Sequence, residues 1–293
     1  MTAGLKPEVH GAGYILLAGL IFITSTGIIK HLTTGLPEAV VVLLRSVFAA
    51  AAFLPLILKS RGRILRTARP FGHAWRTFVG MASFFAYVHA VAHLPMGDAV
   101  TLSFTTPMWS TLLGVLMLGE RLGAGRVLAL LAGFGGVMLI AKPTGSVADI
   151  QPAVLVALGG AACTSLAMLS VKTLSRTEPP DRIALYFLLI GILFAAPPAV
   201  LDWRTPDEVE WLWLVLLGLM TAVGQVALSR GYALGTFSRM APLDFARLPM
   251  ALLIGFAAFG EVPDTWSGLG MAVIAAASLY VVLGGATAAK PRA

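Results

Sequence analysis

The chain has 293 residues, is 58% hydrophobic and only 12% charged, and carries a net charge of +7 with a mean hydropathy of +0.86. A soluble domain carries about 25% charged residues, and charge this sparse cannot cover a water-facing surface around one core. A soluble globular protein is excluded and an integral membrane protein is indicated. The lone cysteine, Cys163, excludes an intrachain disulfide and a thiolate metal site, and reads as a small packing residue.

The first apolar run begins at Tyr14 with no clear small-residue cleavage site beyond it, so it reads as a retained first helix rather than a signal peptide. A spanning helix needs about 20 mostly apolar residues. Runs between charged or turn-rich breaks predict ten spans: 11–30, 37–58, 74–92, 97–118, 124–141, 152–172, 182–200, 211–229, 239–259 and 265–284. Very short breaks such as His93–Met96 and Glu120–Gly123 imply tight antiparallel hairpins. No soluble domain is left over.

Lysine and arginine set the orientation. The loop after the second span holds Lys59, Arg61, Arg63, Arg66 and Arg69, with Arg76 just beyond. With that loop in the cytoplasm, 16 basic residues fall inside and only Lys30, Lys142 and Arg204 outside, while Arg45 and Arg247 lie within spans. The loop bearing Asp202, Asp207, Glu208 and Glu210 then falls outside, and both termini are expected in the cytoplasm.

An internal repeat appears at an offset of about 141 residues, where Gly119–Glu120 aligns with Gly260–Glu261. Pro37–Glu38 matches Pro180–Asp181 and Pro55 matches Pro198 at offset 143, and Thr24–Ser25 matches Thr164–Ser165 at offset 140. Each half, 1–145 and 146–293, holds five spans, an odd number, so the second enters the membrane from the opposite side. The expected fold is all-α and polytopic, ten transmembrane helices in two inverted five-helix repeats. That is the usual build of secondary transporters, whose site lies near the midplane between the halves.

The segment AVAHLPMGDAVTLSFTTPMWSTLLGVLMLGERLGAGRVLALLAGFGGVMLIAKP carries a short hairpin, a proline in the fourth span, a glutamate at its end and a glycine-rich fifth span. The second half repeats this more loosely, with Pro249, Glu261, Gly268 and Gly270. In these features the chain resembles the ten-helix, EamA-type branch of the drug/metabolite transporter superfamily, and within it looks most like the YddG-type bacterial aromatic amino acid exporters. The resemblance implies alternating access, a third span lining the central cavity, and a structural anchoring role for Arg45 in the second span.

A charge at the centre of a span costs roughly 2.5–3.5 kcal/mol on insertion scales and persists when paired or facing a cavity. Asp244 and Arg247 are three apart in the ninth span and can meet on one face; they read either as a self-neutralising pair or as a partner for a zwitterionic substrate. Tyr87 and His89 of the third span, Phe104 and Trp109 of the fourth, Gln225 of the eighth and Phe245 of the ninth complete the candidate substrate site. Interhelical hydrogen bonding for His89 and core or lipid packing for Trp109 are the structural alternatives. Pro107, Pro242 and Pro249 are candidate helix breaks, because proline removes a backbone donor and clashes with a preceding carbonyl. Glu120 and Glu261 read as structural residues at helix ends.

No Walker A, HExxH, GxSxG or GxGxxG motif occurs in a supporting context, so neither enzyme chemistry, a cofactor, a bound metal nor a nucleic-acid partner is expected. The reading is a secondary transporter exporting aromatic or hydrophobic amino acids and related metabolites across a bacterial inner membrane, its partners a small-molecule substrate and membrane lipid. Another metabolite, vitamin, nucleoside or drug is the alternative cargo, and a non-transporting receptor or subunit the third reading.

Overall fold

A computed structural model describes residues 7–118, 123–142, 150–234 and 241–288. The first half contains α1 (Pro7–Leu32), α2 (Glu38–Ala52), α3 (Leu54–Lys59), α4 (Pro70–His93), α5 (Met96–Ser103), α6 (Thr106–Leu118) and α7 (Ala124–Ala141). The second contains α8 (Pro152–Leu174), α9 (Pro180–Leu201), α10 (Glu208–Leu234), a 3-10 turn over Ala241–Ala246, α11 (Arg247–Phe259) and α12 (Thr265–Ala288). The ten expected spans are all present among the described residues, three of them interrupted. Span two is α2 continued by α3 across Phe53, where Pro55 lies in the first turn of the new helix. Span four is α5 plus α6, and span nine is the 3-10 turn plus α11. Glu120 and the boundary between the two halves lie outside the described residues.

By length and apolar content alone, six described helices qualify as spans: Val9–Leu32, Glu38–Lys59, Pro152–Val171, Pro180–Leu201, Glu208–Leu228 and Thr265–Leu283. The other four are recognised only from the pattern of the repeat. Helix α4 carries His73, Arg76 and His89 among its apolar residues, the fourth and ninth spans are interrupted, and Val127–Ala141 is short.

Contacts fix the relative directions of the helices. The Thr26 and Tyr87 hydroxyls meet at 2.8 Å, and further along both helices Lys30 Nζ donates to the Leu94 carbonyl at 2.7 Å, so α1 and α4 run parallel. Helix α1 packs along α10 with Gly11 beside Gly231 and His31 beside Trp213, so those two run antiparallel. Helix α4 is therefore opposite in direction to α10, its counterpart in the repeat. The pairing is symmetric: α1 lies on α10 as α8 lies on α4, while α2 packs on α9 and α7 on α12. The two five-helix halves are inverted repeats.

The α7–α12 seam is the tightest. A Cβ at Gly136 would stand 3.0 Å from the Gly270 carbonyl oxygen, and one at Gly270 would stand 2.6 Å from that of Gly136. In lipid, where apolar burial gives helices little reason to associate, such backbone approach supplies packing energy. Buried Arg45 is laid over the Phe84 ring, 3.7 Å from its centroid. That cation–π contact offsets part of the cost of its charge and gives it a packing role.

Candidate functional site

Span four breaks where the sequence places its proline. Pro107 cannot donate to the Ser103 carbonyl, and the helix stops at Ser103 and restarts at Thr106. Thr105 Oγ1 donates to the Leu102 carbonyl at 2.7 Å, and Thr106 Oγ1 to that of Ser103 at 2.8 Å. Ser278 of α12 reaches across and donates to the Phe104 carbonyl at 2.6 Å. A carbonyl left unpaired inside the bundle would cost about 1–3 kcal/mol, so these hydroxyls sustain the break.

Span nine breaks at the equivalent place by other means. Residues Ala241–Ala246 form a 3-10 turn, and α11 begins at Arg247. Pro242 lies within the turn. Pro249 sits in the first turn of α11, where a missing N–H costs nothing, so it marks the restart of the helix rather than a kink inside it. Asp244 and Arg247 form the expected ion pair, Nη2 to Oδ2, and Arg247 Nε lies 3.4 Å from the Asp244 carbonyl oxygen. The pair straddles the break instead of lying on one helical face. Gly19 of α1 makes room for the arginine, since a Cβ there would stand 3.2 Å from Arg247 Cγ.

The two breaks meet. The Phe104 and Phe245 rings stack with centroids 4.6 Å apart and planes 29° from parallel. These residues are 141 apart, the offset of the repeat. Repeat-related residues that touch must straddle the pseudo-two-fold axis, and an axis relating inverted halves lies in the membrane plane. The stack therefore marks the midplane. The Arg247 guanidinium lies 5.2 Å from the Phe104 centroid, so the centre combines two aromatic faces with a cation and its carboxylate.

Beside it, α4, α5 and α8 line a small cleft with Ser83, Tyr87, Ser103 and Thr164 and small alanine and glycine neighbours. Ser103 joins it to the break. The Tyr87 hydroxyl is held by Thr26, and Ser83 bonds Thr164 across the two halves.

Phe104, Asp244, Phe245 and Arg247 thus converge, with Tyr87 on the adjoining cleft. Three expected site residues do not join them. Trp109 turns to α7 and meets Phe134 edge-on at 5.4 Å, its indole nitrogen buried and without a partner among the described residues. His89 turns to Glu38, with Nδ1 3.1 Å from Oε1. Gln225 of α10 is exposed, on the helical stripe that carries buried Leu214 and Thr221, and takes no part in either break. Thr26, Ser83, Ser103 and Thr164 were missed, because a hydroxyl in a span is ordinarily satisfied by its own helix. Thr164 does that too, reaching the Gly160 carbonyl at 3.0 Å. Glu261 is structural as expected, accepting the Met96 N–H at 2.7 Å and Lys30 Nζ at 2.5 Å.

Comparison with known proteins now decides the family. The EamA-like transporter family matches residues 9–142 and again 151–283. The chain belongs to the EamA-like transporter family. It is 32% identical to the riboflavin transporter of Vibrio cholerae serotype O1 over 279 residues, covering 93% of each chain. It is 26% identical to the S-adenosylmethionine uptake transporter of Rickettsia conorii, covering 96% of this chain and 95% of that one. A crystal structure 20% identical superposes with a TM-score of 0.64 over 96% of this chain and 99% of that chain, which supports the fold. This EamA-like protein is a multi-pass membrane transporter of a small molecule. These two relatives are named for riboflavin and S-adenosylmethionine, not for the aromatic amino acids of the YddG-type resemblance.

Proposed function

We propose that this protein carries a planar heteroaromatic metabolite of the flavin class across a bacterial inner membrane by alternating access. The observation that carries the reading is the Phe104–Phe245 stack on the two helix breaks, with Arg247 and Asp244 beside it. A flat ring system replaces one aromatic neighbour with another at little desolvation cost, and its polar edge takes hydrogen bonds from the charged pair and the Tyr87 cleft. The break hydroxyls let the half-helices shift without stranding backbone groups. The riboflavin transporter of Vibrio cholerae supports the class of cargo.

Both termini lie in the cytoplasm on this reading, as the distribution of lysine and arginine favours, and the division into halves at 145/146 follows the repeat. Amino-acid export is the second reading. It is favoured by the Asp244–Arg247 pair, whose two charges complement a zwitterion.

Purified protein titrated into riboflavin tests the proposal, because stacking quenches flavin fluorescence. Saturable quenching is expected, weakened by Phe104→Ala and by Phe245→Ala. Absence of saturable quenching, or quenching unchanged in both variants, would overturn it. No flavin quenching, together with thermal stabilisation of the protein by phenylalanine or tryptophan, would favour the second reading.

A further inference from the structure

The residues drawn away from the midplane form a group of their own. Glu38 opens α2, and His89 and His93 stand one turn apart on the last turns of α4. One ligand-type atom from each of the three lies within 4.8 Å of the others. His89 Nδ1 lies 3.1 and 3.3 Å from the Glu38 oxygens, and His93 Nδ1 lies 3.5 Å from Oε1. The two imidazoles face each other at 4.1 Å between centroids.

We infer that Glu38, His89 and His93 form a binding site for one divalent first-row transition-metal ion, with Zn²⁺ the best match. The donor set, two imidazoles and a carboxylate, suits zinc, cobalt and nickel and discriminates against magnesium and calcium, which prefer oxygen. Two histidines at i and i+4 on one helix face with a carboxylate from another helix give three ligands, leaving a fourth position open to water. The His93 Nδ1–H donates to the His89 carbonyl at 2.9 Å, a bond it gives up when Nδ1, which already faces Glu38, takes the ion. Metal–nitrogen bonds of about 2.0–2.1 Å place tetrahedral ligand atoms roughly 3.4 Å apart, so from a spread within 4.8 Å the group needs to contract by at most about 1.4 Å. The side chains are 34%, 50% and 27% exposed for His89, His93 and Glu38, so an ion has access from water. The sequence reading expected no metal, since Glu38 lies 51 residues from His89 and only the packing of α2 against α4 joins them.

The test uses the full chain, freed of any polyhistidine tag and held in lipid nanodiscs, with Zn²⁺ or Co²⁺ as the only added metal. Native protein should bind one Zn²⁺ per chain, gain thermal stability from it, and give Co²⁺ the intense visible absorption of a tetrahedral site. His89→Ala and His93→Ala should abolish the cobalt signal and the stabilisation. Glu38→Gln, which keeps size and hydrogen bonding, should weaken binding at least tenfold. Zinc binding equal in native protein and the His89→Ala/His93→Ala double variant would overturn the site, as would a Co²⁺ spectrum unchanged from the hydrated ion. Should the histidine variants unfold, Glu38→Gln alone decides: native-like affinity would remove the carboxylate from the ligand set and overturn the three-ligand assignment.

Discussion

The two broken spans occupy the same place in the repeat and solve the same problem with different chemistry. In the first half, hydroxyls of Thr105, Thr106 and Ser278 satisfy the freed carbonyls, and every group is neutral. In the second half, Asp244 and Arg247 straddle the break as an ion pair. A neutral break can be supported anywhere in a bundle. A charged one inside a membrane costs several kcal/mol unless it is paired and faces protein or water. The lesson is that symmetry supplies the pathway, whereas asymmetry at its centre supplies recognition.

The largest effect should come from the charged break. Arg247→Ala leaves Asp244 without its partner. Losing one member of a buried pair costs about 3–5 kcal/mol of stability, which partial exposure lowers to about 2 kcal/mol, and the charged contact to substrate lost with it is worth about 1.5–3 kcal/mol, or roughly 10- to 150-fold in transport. Measured flux in proteoliposomes should fall by that order, and the Asp244→Asn/Arg247→Gln double variant should insert better than Arg247→Ala alone. An unaffected flux would mean that the pair is only structural and that the contrast between breaks has no functional content.

Next come the aromatic faces. Stacked aromatic pairs are worth about 0.5–1.5 kcal/mol, so Phe104→Ala and Phe245→Ala should each raise the KM for flavin by about 2- to 10-fold. The two changes should be similar, because the stack is shared across the axis, and tryptophan should substitute better than leucine at either position. A large effect at Phe245 with none at Phe104 would place recognition wholly on the second half.

Ser278→Ala should act on stability rather than transport. It strands the Phe104 carbonyl at a cost of about 1–3 kcal/mol. The unfolding midpoint should drop by a few degrees while flux changes less than about twofold. The smallest effect is expected at Gln225, which takes no part in either break, so Gln225→Leu should leave flux unchanged.

Much of this architecture was legible in the sequence. Proline and charge marked both breaks, offset matches marked the repeat, and parity gave the inversion. The centre was partly legible: Phe104, Asp244, Phe245 and Arg247 were named, yet nothing indicated that the two phenylalanines would touch. That contact depends on an axis relating residues 141 apart. Trp109, His89 and Gln225 were misplaced for one physical reason. In a soluble helix the polar face reveals the outside, but a spanning helix is apolar on both its lipid and bundle faces, so periodicity does not say which way a mid-span polar side chain turns. The cleft hydroxyls were silent because serine and threonine bond their own helix wherever they face.

Flux decides the central claim. Reconstituted protein should move labelled riboflavin across sealed proteoliposomes, saturably and well above protein-free vesicles. The rate should fall in both Phe104→Ala and Arg247→Ala, and loading either face in turn assigns the direction. Flux no greater than that of protein-free vesicles in either direction, from protein whose thermal unfolding confirms that it is folded, would contradict the account.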